Sequence, residues 1–173
     1  MKSLIGWIAA AGLVCASAAI MPAAVADEEA ASGAYEMSVV VDRAYGDLVS
    51  NGRYERAILR IASHPNRFPF ATATNLCVAH TMVGQYRHAM NYCDAALEAA
   101  AGAAQAGHRR DRDYTTEWAI AHSNRGVLHA RMGNCKAAAM DFRAAIELHG
   151  ESQLPVHNLV RLNQEFPETI AAK

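Results

Sequence analysis

Cysteine and histidine are the side chains of this chain with the most chemistry to offer, and their spacing decides which chemistry. His122 and His129 stand seven apart, one helical face if the stretch is a helix, and a Zn²⁺ site would need them or His80 to converge with Cys77 or Cys135. No H-E-x-x-H, no C-x-x-C and no closely spaced Cys/His cluster occurs, which argues against a zincin or a dithiol redox enzyme. The carboxylates are no more suggestive. Asp113 with Glu117, and Asp141 with Glu147, read as solvated helix faces, because no apolar setting around them would raise one into a proton donor. No G-x-S-x-G, phosphate-cradling glycine loop or dinucleotide fingerprint is present. The expectation is a chain without catalytic residues, metal or cofactor, with an enzyme built on a Cys/His site as the alternative.

The elements that would position these groups begin after a leader. Residues 1–26 carry Lys2, an uncharged apolar run from Leu4 to Ile20, and Ala24-Val25-Ala26, the three parts of a cleavable signal peptide. Cleavage there leaves residues 27–173 as one domain without a membrane span, in the periplasm or secreted. With Lys2 gone, 15 Lys plus Arg face 17 Asp plus Glu, a balance with no pull on nucleic acid. Cys15 goes with the leader, so an oxidising compartment receives three cysteines, one pair and one left over.

Apolar positions from Tyr35 to Phe166 recur at three and four residues, and alanine, which loses no side-chain entropy in a helix, is abundant. The spacing predicts an all-α fold with helices over 33–50, 54–63, 71–83, 86–101, 115–132, 135–148 and 155–165. The same punctuation appears three times: "GRYERAI" from Gly52, "GQYRHAM" from Gly84 and "GNCKAAA" from Gly133. Glycine accepts the left-handed conformation that ends a helix, and the small Ala57, Ala89 or Ala138 lets the next helix come close. Nine residues before the last two glycines stand Asn75 and Asn124. The interval is 32 residues from Gly52 to Gly84 and 49 from Gly84 to Gly133, which places an insertion around 99–113 between helical hairpins about 34 residues long. The segment "SQLPVHNLVRLNQEFP" supplies a last helix that caps the row.

On these residues the chain resembles the tetratricopeptide repeat family. The third copy carries Asn124, Gly126, His129, Gly133, Ala138, Phe142 and Ala145. The second carries Asn75, Leu76, His80, Gly84, Tyr86, Ala89, Cys93 and Ala96, and the first Tyr45, Leu48, Gly52, Tyr54, Ala57, Ile61 and Pro69. His80, His129 and Cys93 stand where the family often has aromatics. The resemblance implies a right-handed solenoid of helical hairpins with a C-terminal capping helix. Its inner groove, lined by the first helix of each hairpin, would hold a protein or extended peptide.

Within that frame Asn75 and Val78 of one copy and Asn124, Val127 and Trp118 of the next are the groove candidates. Asn75 and Asn124 carry amides able to clamp a peptide backbone, or equally to fix local packing. "HRRDRDYTTEW" is either a solvated loop or a groove edge offering Arg109 and Arg112 to a carboxylate, with Tyr114 or Trp118 as anchor. Antiparallel packing of a hairpin would bring Cys77 and Cys93 together, as a disulfide or as two buried hydrophobes in contact. Cys135, just after a turn, reads as partly exposed. The expected activity is non-catalytic protein or peptide binding in the cell envelope, with a structural scaffold subunit of an envelope assembly as the alternative and self-association as a way to complete a short surface.

Overall fold

A computed structural model of the chain describes residues 34–41, 45–63, 69–105 and 114–167. The described residues form an all-α, helix-only fold: α1 Gly46–Ser50, α2 Tyr54–Ser63, α3 Pro69–Met82, α4 Tyr86–Gln105, α5 Tyr114–Arg131, α6 Cys135–Leu148 and α7 Gln153–Glu165. Consecutive helices stack, α1 on α2, α3 on α4 and α5 on α6 as hairpins, with α4 against α5 and α6 against α7 joining them. First helices also touch one another along the row, α1 to α3, α3 to α5 and α5 to α7, whereas among the described residues no contact of this kind links α2 to α4 or α4 to α6. The row of first helices is therefore the inner side.

The three hairpin turns are built alike. Gly52, Gly84 and Gly133 have φ of 70°, 75° and 77°, and the N–H of the residue after each reaches back to the carbonyl of Leu48, His80 or His129. This bond satisfies a carbonyl that the helix end would otherwise orphan. Alanines then seat the second helix: Ala57, Ala89 and Ala138 have no exposed surface. The third hairpin closes tightest, because a Cβ on Gly126 would lie 2.7 Å from the ring of the fully buried Phe142.

The periodicity misassigned the first helix. Residues 34–41 are not helical, and α1 is confined to Gly46–Ser50. Val39-Val40-Val41 is a β-branched run that loses χ1 freedom in a helix, and the main chain of this segment finds partners elsewhere. Gly46 lets α1 approach this segment; a Cβ there would run into the carbonyl oxygen of Val40 and sit 2.7 Å from Val41 Cα.

Candidate functional site: an asparagine ladder

α3, α5 and α7 each contribute one asparagine to the inner side, and the three hold one extended stretch of chain. Asn158 Oδ1 accepts from the Glu36 N–H at 3.0 Å while its Nδ2 donates to the Glu36 carbonyl at 2.8 Å. Asn124 does the same for Ser38, at 2.8 Å in both directions, and Asn75 for Val40, at 3.0 and 2.9 Å. A side-chain amide offers a donor and an acceptor side by side without needing to be protonated, matching the N–H and C=O of a single residue. Those groups point the same way only on alternate residues of an extended chain, so three clamps at positions i, i+2 and i+4 select an extended backbone. Asn75, Asn124 and Asn158 are all buried, which protects the bonds from water.

Side chains along the segment supply the apolar part. Tyr35 stacks on Phe142, with ring centroids 6.4 Å apart, beneath the guanidinium of Arg161 at 5.1 Å, and its hydroxyl donates to Glu165 Oε2. Burial, then the bond to Glu165, push the Tyr35 phenol well above its ordinary range. Met37 packs against the two core clusters that contain Val127 and Val78, and Val39 against the cluster that contains Val78 and Val49. Val78 and Val127 thus belong to the buried core on which this segment lies.

Of the other groove candidates, Trp118 is half-buried on α5, and Arg109 and Arg112 lie outside the described residues. Asn158 escaped the sequence reading although a signal existed: it follows Asn124 by 34 positions, one hairpin period, and is followed by Leu159 as Asn75 is by Leu76.

Behind the ladder, between α4, α5 and α6, lies a charged network. Arg125 donates through Nε and one terminal nitrogen to both oxygens of Asp141 and through the other to Asp94, each at 2.9 Å. His122 Nδ1 donates to Asp141 Oδ1 at 2.8 Å. Asp141 is only 5% exposed, which corrects its reading as a solvated carboxylate. Burial alone would raise its pKa, but the bonds from His122 and Arg125 outweigh it and hold the carboxyl below its ordinary value. The same bonds to Asp141, against the opposing effect of burial, raise the Arg125 guanidinium. His129, 3.9 Å from Asp141, is lowered chiefly by burial.

In the second hairpin Cys77 and Cys93 form a disulfide with Cα atoms 4.9 Å apart. Cys135 is buried, not partly exposed, with its thiol toward the Gly133 carbonyl at 3.5 Å. Among the described residues no group of three or more His, Cys, Asp or Glu could hold a metal ion, and no helix is long and apolar enough to cross a membrane. No family model, curated protein or solved structure matches the chain.

Proposed function

We propose that this chain is a tetratricopeptide-like binding protein of the cell envelope, non-catalytic, whose inner groove recognises extended polypeptide through its backbone. The observation that carries the reading is the ladder itself, three buried asparagines each clamping both main-chain groups of one residue in a regular i, i+2, i+4 series. A device that reads N–H and C=O is indifferent to most side chains, so it suits a groove whose task is to hold an extended strand. Segment 35–41 occupies all three clamps with an extended backbone of the kind such a groove would read, so a partner strand reaches the ladder by displacing it. The repeated glycine turns and the row of first helices support the family assignment, and the leader-like residues 1–26 support export.

The test is site-specific photocrosslinking in the native envelope with the full-length protein. A benzoylphenylalanine replacing Ser50, exposed on the inner rim, should trap a polypeptide that the same residue replacing Arg87, exposed on α4, does not. Equal trapping from both sites, or none from Ser50, would contradict the groove as the binding surface.

A further inference from the structure

The strand seated in the groove reveals a second layer of selection. The clamps read main chain only, but alternate residues of the segment face the helices, and their seats differ in kind. Tyr35 has a built one: the Phe142 ring, the Arg161 guanidinium 5.1 Å from its centroid and the Glu165 carboxylate, which accepts its hydroxyl at 2.6 Å. Met37 and Val39 lie against the core clusters of Val127, Val78 and Val49, and their seats are underfilled. An open cleft of ~300 Å³ runs beside Tyr35, Glu36, Met37 and Val39, walled by Val49, Tyr54, Val78 and Met82 with Ser50. Its polar members besides the two tyrosines, Glu36 and Ser50, are exposed, whereas Val49 and Val78 are buried, so the cleft deepens toward apolar side chains.

The strand is also laid on the helices, not built into them. No residue from 34 to 41 is fully buried, whereas Val78, Val127 and Phe142 are. Six hydrogen bonds from three amides hold its main chain. Each is worth little net, because groups that let go bond to water instead. Lifting the strand would bare apolar surface, so the state that follows is a groove refilled by another strand, not an empty one.

We propose that residues 34–41 are an autoinhibitory strap, which fills the ladder until an extended segment of a partner protein replaces it. The replacing segment carries a tyrosine, an apolar residue two positions on, and two positions further an apolar residue larger than valine. Its tyrosine takes the seat on Phe142, and its third anchor fills the cleft that Val39 leaves. That gain sets a partner above a second copy of this chain, whose own residues 34–41 would underfill the same space. The inference rests on the groove reading above and adds what the groove selects and what guards it.

The probes are two capped, fluorescein-labelled peptides, residues 34–41 unchanged and the same with Val39→Leu, titrated into the full chain by fluorescence anisotropy. A tethered strap competes at an effective concentration of about 1 mM or more, so the wild type should bind the unchanged peptide with an apparent Kd near that value. In the protein, Ser38→Pro deletes the N–H that Asn124 accepts, and Tyr35→Ala empties the seat on Phe142; neither alters a helix. Both variants should bind either peptide at least tenfold more tightly than the wild type does, and Asn124→Ala added to Tyr35→Ala should abolish that gain. No gain in either variant overturns the strap. The Val39→Leu peptide should bind about fourfold more tightly than the unchanged one, the worth of one buried methylene; equal or weaker binding overturns the pattern proposed. Should the variants unfold, the wild type decides. With the Val39→Leu peptide at ~5 mM, above the effective concentration of the tether, the amides of Glu36, Ser38 and Val40 should lose protection from exchange while those of α5 and α6 keep it. Protection retained at all three overturns the proposal. Wild-type dimers that the peptide dissociates would assign the exchange to a second copy and overturn the occupant named here. Ser50 crosslinks with no gain in the strap variants would sink this inference alone; absence of both would sink the function with it.

Discussion

Arg125 illustrates how much of this molecule turns on single polar side chains. It faces two carboxylates on two helices, one nearly buried, and so ties α4 and α6 to α5 through charge. Arg125→Met would leave Asp141 with His122 as its hydrogen-bond partner, in a site too dry to solvate an anion well. Removing one partner of a fully buried ion pair costs 3–5 kcal/mol, and the remaining His122 bond reduces the expected loss to about 2 kcal/mol. Urea denaturation would show this as a lower midpoint at unchanged slope; an unchanged midpoint would mean the network adds nothing to stability. The asparagines are equally specific. Aspartate in their place would keep an acceptor and lose the donor that each carbonyl requires, so only an amide suits the clamp.

At the scale of helices and hairpins, close approach is the recurring device, and two predictions belong here. Gly126→Ala would ordinarily favour a helix by up to ~1 kcal/mol, but the new methyl would meet the ring of Phe142, which is fully buried and has nowhere to go. The expected outcome is a net loss of ~1–3 kcal/mol in thermal or chemical denaturation, and a stabilised variant would show the packing to be looser than this. The disulfide closes a loop across 16 positions between α3 and α4, so Cys77→Ser with Cys93→Ser should cost ~3 kcal/mol, seen as a lower melting temperature that reductant no longer alters. These hairpins were largely legible beforehand, because glycine at a helix end and alanine at a contact have physical signatures that survive in one dimension. The segment 34–41 was not. Its apolar spacing of three and four imitates a helical face, and what decides its conformation is three amides lying 35, 86 and 122 residues away in sequence. Asp141 was misread for the same reason: burial by neighbouring helices leaves no mark beside it in the chain.

Across the whole molecule, the buried His80, the half-buried His129 and the buried Asp141 set how stability responds to pH. His80 and His129 are both held below the ordinary histidine value, first by burial. A group with a lowered folded pKa contributes stability that is complete above its unfolded value, about 6.5 for histidine, and that is lost as pH falls toward the folded value. Asp141 follows the same sign at lower pH, its contribution present above about 3.9 and lost as pH falls through its depressed value. The urea midpoint should therefore fall from pH 7.5 to 5.5, and fall again below pH 4. Replacing His80 and His129 by glutamine should flatten the first step; a midpoint that rises on acidification would contradict the desolvation of both rings.

The ladder joins these scales, since three residues on three helices decide the path of a distant segment, and amide hydrogen exchange of the full chain reads it directly. The account predicts alternation along one short stretch, with Glu36, Ser38 and Val40 protected and Met37 and Val39 exchanging freely. In Asn124→Ala, otherwise folded, Ser38 should lose protection first, because its N–H and carbonyl lose their partner together. Uniformly fast exchange from Glu36 to Val40 in the wild type, or an Asn124→Ala profile identical to it, would show that the asparagines do not hold this segment and would remove the ground for a backbone-reading groove.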